Sequence, residues 1–267
     1  MLKINKKAPS VIQIGLWPRG EQLDTVWFDN ANQGHFLSVD IQELSDLPKI
    51  IADQISTDLI NYIFRFRFVS AISTHHIWTK TLILPQQLNA QECEQQCRFI
   101  LENELPVSIA ELWFDYYSNP LKQGMRLDIF AVIRNIAKSY LDTLLPLNIE
   151  VLDHMAHCLL RAFHYLIPNI QLSSTLLLYQ DEQGCLALQD RPHQLQLIQQ
   201  THKNLPALFS RYCEHYEEMP EKVVVYSALS DNSPLPDDWQ QVHTDLPFIA
   251  LGAALWQRDL HQDVTSD

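Results

Sequence analysis

The sequence predicts an α/β protein, and three observations carry that reading. Residues 127–163 read strand, helix, strand, helix, which is the pattern of a mixed α/β architecture. Short apolar runs bounded by turn residues recur on both sides of that stretch, with amphipathic helical segments between them. At 267 residues and 46% hydrophobic content, the chain is long enough to bury a real core in one large domain or two small ones.

The central stretch opens on the strand-like run Leu127-Asp128-Ile129-Phe130-Ala131-Val132-Ile133. A helix follows over 136–145, where Ile136, Ala137, Tyr140, Leu141, Leu144 and Leu145 fall on one face at spacings of three and four. Pro146 stops it. Residues 149–152 read as a second strand, and a second helix runs from about His154 to Leu166 with Met155, Leu159, Ala162, Phe163 and Leu166 on one side. Spacing does not decide whether the two strands pair in parallel. The rest of the chain is expected to feed into this unit and pack back onto it.

Before it, residues 11–16 and 25–28 read as strands joined by a turn over 17–24, with a third strand at 34–39. Residues 46–56 form a helix with Pro48 in its first turn, where a missing N–H costs nothing, and Leu47, Ile50, Ile51 and Ile55 inward. Over 61–73, Ile63, Arg65 and Arg67 alternate with Phe64, Phe66 and Phe68, which predicts a strand with one wet face. Residues 77–84 are a strand closed by Pro85, and 90–105 a Gln- and Glu-rich helix capped near Asn89 or Gln91 and ended by Pro106. The aromatic run 112–118 is expected to pair with 127–133 across a turn at 119–124.

After it, strands at 175–180 and 185–189 flank Asp181-Glu182-Gln183-Gly184, a hairpin signal. Residues 204–216 are helical, 222–226 form a short buried strand, 231–238 a Pro- and Asp-rich loop, and 248–256 a final apolar helix before a polar tail. No internal repeat is visible in the sequence.

Charge narrows the function. A formal net charge of −13 is poorly suited to gripping phosphates of nucleic acid, which needs Lys and Arg to displace counterions. Six glycines are few for a phosphate-binding enzyme of this size. The five cysteines are odd in number and irregular in spacing, which argues against a disulfide framework and for a reducing compartment. Lys3, Lys6 and Lys7 precede the apolar 11–16 run, but that run is short, holds Gln13 and leads to Pro18-Arg19 without a small-residue cleavage site, so it reads as a first strand. No run of 18 apolar residues predicts a membrane span.

Several segments, in order, resemble the PilM proteins of type IV pilus assembly, within the actin-like ATPase superfamily, and are most similar to the short competence protein A and HofM-like members. Ile14-Gly15-Leu16 stands at the family's first strand, and Thr79-Lys80-Thr81-Leu82-Ile83-Leu84-Pro85 resembles its T-K-T-apolar-x-(M/L)-P. Glu102 to Pro106 and Glu111 to Tyr116, with Asp115 at the acidic position, resemble its E-x-x-x-P and E-x-apolar-x-apolar-D-(Y/F) segments. Ala131 with Arg134, Leu152-Asp153 and Leu159 to Phe163 match its central unit, and Phe248 to Leu255 its closing A-L-G-L-A helix. The resemblance implies an actin-like (ribonuclease H-like) two-lobed α/β fold with an inserted β-α-β subdomain and a truncated second lobe. Residues 1–70 and 149–170 would form the first lobe, 71–148 the insert, 171–247 the reduced second lobe, and 248–267 a closing helix packing on the first.

The departures bear on function. Nucleotide-binding members carry a D-I-G-S-S type loop after the first strand, where this chain has Trp17-Pro18-Arg19-Gly20. A second D-I-G loop is expected near 173–178, which here is Ser173-Ser174-Thr175-Leu176-Leu177-Leu178, and a Gly-rich adenine turn is replaced by Ser227-Ala228-Leu229-Ser230. Phosphate loops use glycine so that backbone N–H groups can approach the oxygens, and an Asp to hold Mg²⁺. The resemblance therefore implies a scaffold with no cofactor, no metal and no catalytic residue, docking the tail of a PilN-like single-span inner-membrane protein and meeting other pilus platform proteins at the cytoplasmic face. An active actin-like ATP-binding protein of the same assembly is the alternative.

From the residues, the candidates for partner contact are Phe64, Arg65, Phe66, Arg67, Trp113 and Tyr116, with Phe68, Phe114 and Tyr117 in the same aromatic groups. Other constellations are expected to be structural. His154, His157 and Cys158 lie within one helical turn without further ligands, Cys93 and Cys97 make a C-x-x-x-C with no second pair, and His75-His76 has no nucleophile beside it. Asp24, Asp29, Asp115, Asp128 and Asp153 would suit two-metal nuclease chemistry only if they converged.

Overall fold

In the computed structural model the structure describes residues 10–29, 31–55, 64–229 and 234–257. The elements in chain order are β1 (Ser10–Arg19), β2 (Gln22–Phe28), β3 (Gly34–Asp40), α1 (Leu47–Ile55), β4 (Phe64–Ile72), β5 (Ile77–Leu84), α2 (Ala90–Glu104), β6 (Leu112–Pro120) and β7 (Met125–Ile133). There follow α3 (Arg134–Asp142), β8 (Ile149–His154), α4 (Met155–Leu166), β9 (Thr175–Asp181), β10 (Gly184–Arg191), β11 (Gln194–Gln200), α5 (Leu205–Tyr216), β12 (Lys222–Ser227), β13 (Gln240–Gln241) and α6 (Phe248–Ala254). The chain divides into two units, one drawn from 1–73, 138–162 and 244–267, the other from 74–137 and 163–243.

The first unit is built on a five-stranded sheet in the order β3-β2-β1-β4-β8. Strands β1, β2 and β3 form an antiparallel meander, and β4 and β8 add in parallel beside β1. The β1–β2 ladder runs on to the pair Arg19 and Gln22, so the expected turn over 17–24 shrinks to Gly20 and Glu21, with Gly20 at φ 64°. Buried Trp17 and Leu23 reward that extension. On one face Ile14, Leu16, Trp27 and Phe68 pack with Leu47 and Ile51 of α1 and with Leu144 and Leu147. On the other, Gly15 lets α6 lie directly on β1: a Cβ there would stand 2.0 Å from the Ala250 carbonyl oxygen. Gly252 does the same toward α4, where a Cβ would meet the Cys158 carbonyl oxygen at 1.8 Å. Every residue of α6 is buried. The Gln13 amide donates to the Ala254 carbonyl at 2.8 Å and fixes the helix end.

The second unit holds another five-stranded sheet, β11-β10-β9-β12-β13. It too is an antiparallel meander, β9-β10-β11, extended by parallel strands β12 and β13. The two sheets share one topology although the sequence carries no repeat, because strand order depends on the succession of apolar runs and turns rather than on residue identity. Strand β11 has no counterpart in the sequence reading. Its alternating Gln and Leu hide its burial: the Tyr212 hydroxyl is hydrogen-bonded to the amide groups of buried Gln189, at 2.8 Å, and buried Gln196, donating to one and accepting from the other, so glutamines line part of the core face.

The same unit contains a three-stranded antiparallel sheet, β5-β7-β6, with α2 on one face. Cys93, Cys97 and Leu101 of α2 pack on Leu127, Ile129 and Ala131 of β7. Asn89 caps α2 in a reciprocal capping box with Glu92. Strands β7 and β8 lie in different sheets, so the strand–helix–strand around which the sequence reading is organised is not a crossover within one sheet. Strand β7 is claimed by the antiparallel partners β5 and β6, and β8 by β4. Among the described residues no helix is long and apolar enough to cross a membrane.

Candidate partner-docking surface

The alternation in β4 sorts its four candidates. Arg65 and Arg67 share one face and Phe66 the other, where it packs on the core beside Phe68, with ring centroids 6.3 Å apart. The Phe64 side chain lies outside the described residues. Glu150 of neighbouring β8 sits across from the arginines, with Arg65 Nη2 at 3.2 Å and Arg67 Nε at 3.6 Å from its two oxygens. Arg67 also donates to Gln257 Oε1 at 3.1 Å, and its guanidinium lies 5.9 Å from the Trp256 ring centroid. The Arg65 pair is exposed and of small worth, so an incoming carboxylate can exchange with Glu150 at little cost.

Trp113 and Tyr116 of β6 are turned to opposite faces of the three-stranded sheet. Trp113 stands opposite Val132 on the face away from α2 and is 36% exposed. Tyr116 faces α2, where its hydroxyl donates to the Ala90 carbonyl at 3.0 Å, and Phe114 on that side carries Arg98 at 5.2 Å from its ring centroid. The structure thus brings Arg65 and Arg67 together on one unit and puts Trp113 on an open face of the other, while Phe66 and Tyr116 pack inward.

The carboxylates do not converge. Asp24 accepts from Arg19 at 3.0 Å and from the Ser38 hydroxyl at 2.6 Å. The hydrogen bond from His35, at 3.0 Å, holds the Asp29 carboxyl below its usual range, with help from the Gln33 and Ala31 amides. Burial alone would raise the Asp153 carboxyl, but Arg161 and His157 outweigh it and hold it low. Arg161 binds Asp153 and donates to the Gly252 carbonyl at 2.9 Å, tying β8, α4 and α6 together. Among the described residues no group of three or more His, Cys, Asp or Glu is placed to hold a metal ion.

His154, read from sequence as part of a helix flank, instead ends β8 and is buried, its ring edge-on to His157 at 5.4 Å. Burial, with His157 beside it, pushes the His154 imidazole down to about 3. Burial raises the Cys158 thiol, and it lifts Cys97 to about 12 on the inner side of α2 next to Cys93. His75 and His76 are exposed in a single 3-10 turn before β5.

One network escaped the sequence reading. Arg126 and Asp128, both 6% exposed, pair at 2.8 Å on the face of β7 away from α2. Arg126 also reaches Asp190 of β10 at 2.9 Å and donates to the Arg191 carbonyl at 2.6 Å, while Thr81 donates to Asp128 at 2.5 Å. The visible signal was two opposite charges two apart inside an otherwise apolar strand.

The repeated topology relocates one expected loop. Residues 175–178 lie within β9, so the counterpart of the β1–β2 turn is Glu182-Gln183, between β9 and β10, and not the 173–178 segment. There Asp181 closes its own turn: Oδ1 accepts from the Gln183 and Gly184 amides at 2.8 and 3.1 Å, and Oδ2 from the Tyr179 hydroxyl at 3.0 Å. After β12, the Ala228 amide donates to the Gln180 carbonyl at 2.8 Å and the Leu229 amide to Ser227 Oγ at 3.2 Å.

No protein-family model and no curated protein matches the sequence. Solved structures do match the fold. The cytoplasmic domain of EpsL, an inner-membrane component of the type II secretion system of Vibrio cholerae, is similar at 15% identity over 94% of each chain, with a TM-score of 0.59. A PilM-PilN type IV pilus biogenesis complex is similar at 14% identity over 82% of each chain, with a TM-score of 0.55. A Bacteroides thetaiotaomicron protein described as having an actin-like ATPase fold and unknown function aligns at 12% identity over 86% of this chain and 87% of that one, with a TM-score of 0.43. The fold is a mixed α/β one shared with the first two of these structures: one strand order is repeated in two sheets, and the three-stranded sheet and α2 come between β4 and β8 in the chain.

Proposed function

We propose that the chain is a non-enzymatic scaffold of a type IV pilus-like or competence DNA-uptake machine. It docks the cytoplasmic tail of a PilN-like inner-membrane protein and reaches the membrane's cytoplasmic face through that partner. The observation that carries this reading is the likeness, over more than four fifths of each chain, to the cytoplasmic domain of an inner-membrane component of a type II secretion system and to a PilM-PilN type IV pilus biogenesis complex. Two features support binding over turnover. Asp181, at the second hairpin, spends both carboxylate oxygens on its own turn. The first hairpin closes on Gly20-Glu21 with no acidic, glycine-rich loop.

Two measurements test it. Pull-down with the cytoplasmic tail of a candidate PilN-like protein is expected to retain the chain, and Arg65→Glu with Arg67→Glu to weaken retention. Isothermal titration with ATP and Mg²⁺ is expected to be silent; micromolar binding would move the chain to the alternative, an actin-like ATP-binding protein of the same assembly.

A further inference from the structure

We infer that the exposed row along edge strand β6, on the face of the three-stranded sheet away from α2, receives the cationic side chain of an extended basic segment of a partner protein, between Trp113, Asp115 and Tyr117. The inference rests on the docking role and names the partner's chemistry. In a strand, residues two apart share a face about 7 Å from one another. That places a carboxylate midway along a row whose ends are aromatic rings. Trp113 is 36% and Tyr117 54% exposed, and Asp115 is exposed between them. Val132 and Phe130, opposite Trp113 and Asp115 on β7, give the row a half-buried apolar floor.

Charge selects the occupant. Arg126, on this face, is committed to Asp128 and Asp190, and Lys80 is turned to the other face, where it meets Glu104 at 3.0 Å. Among the described residues no cation pairs with Asp115, whose hydrogen bond is from the Tyr116 amide at 2.8 Å. An ammonium or guanidinium entering the row gains an ion pair and the faces of two electron-rich rings, while its aliphatic stem covers the apolar floor. The edge itself is guarded against strand addition. The Tyr116 amide is held by Asp115, and the Leu112 carbonyl accepts from Arg134 at 3.4 Å. The segment is therefore read by its side chains on the face, not by joining the ladder.

The test is fluorescence anisotropy of a labelled peptide that alternates Arg with Val, against the same peptide with Glu for Arg. The Arg peptide is expected to bind, more weakly as salt rises, and the Glu peptide not to bind. Trp113→Ala, Tyr117→Ala and the isosteric Asp115→Asn are each expected to weaken binding roughly 2- to 10-fold. Asp115→Asn, at an exposed position, keeps the fold if either aromatic variant does not. Equal binding of both peptides, or an Asp115→Asn variant that binds as wild type, overturns the inference. So does a Trp113-dependent dimer seen in sedimentation without peptide, which would make a second copy the occupant. If the PilN-like tail is retained but the Arg peptide fails, the scaffold stands and this inference falls. If the Arg peptide binds through Trp113 and the tail is not retained, the pilus assignment falls and the basic-segment site remains.

Discussion

Lowering the pH from 7.5 to 5 isolates the cost of burying His154. In the folded chain its imidazole titrates near 3, because burial disfavours the cation and His157 stands against the ring, with Asp153 opposing them. In the unfolded chain it titrates near 6.5, as an ordinary histidine does. Between those values the unfolded state binds a proton that the folded state refuses, so stability is whole above about 6.5 and falls as pH drops toward 3. At pH 5 the difference is RT ln[(1 + 10^1.5)/(1 + 10^−2)], about 2 kcal/mol, against less than about 0.1 kcal/mol at pH 7.5. The assay is urea denaturation of the wild type and of His154→Gln at both pH values. With an m-value of about 2–3 kcal/mol/M, the wild-type midpoint is expected to fall by roughly 0.7–1 M more than the variant's. Effects of pH that do not pass through His154 occur in both proteins and cancel in that difference. Parallel losses in the two proteins would show that His154 takes its proton in the folded state, and the burial argument would fail.

Gly252→Ala forces a methyl into the Cys158 carbonyl at 1.8 Å, so α6 has to retreat from α4 by more than an ångström. A loss of about 1–3 kcal/mol or more is expected in the same denaturation assay, whereas Gly20→Ala, whose Cβ meets nothing within 4 Å, should cost less and only through its positive φ. Arg126→Met removes the cation from between buried Asp128 and the partly exposed Asp190. A loss of about 3–5 kcal/mol is expected at pH 7, partly recovered by Asp128→Asn in the same chain; no recovery would mean that the arginine acts through packing alone.

Legibility followed period and punctuation. Strands β1 to β7 stood out because apolar runs met clear breakers such as Pro85 and Gly124, and α2 because a cap at Asn89 or Gln91 and the stop at Pro106 bracket it; the structure chooses Asn89, boxed with Glu92. Residues 56–63, where the sequence places the last residue of a helix and, from 61, the start of a strand, lie outside the described residues. What failed was long-range. Local pattern could not tell that β7 and β8 belong to different sheets, since each is a good strand whichever neighbour it takes. It could not find β11, where buried glutamines satisfied by Tyr212 break the hydrophobic alternation. Of the candidate contacts, the Arg65 and Arg67 face was readable from period two. The orientation of Trp113 against Tyr116 followed from the same rule, but grouping by aromatic type concealed it.

The seat that Gly15 and Gly252 make for the last helix sets a timetable for biosynthesis. Strand β1 leaves the ribosome early, yet the group that Gln13 grips is 241 positions further along. At about 5–20 residues per second, that segment waits on the order of 10–50 s for its partner. Through that interval the sheet holds one face without α6, and the core on that side closes only when residues 248–254 arrive.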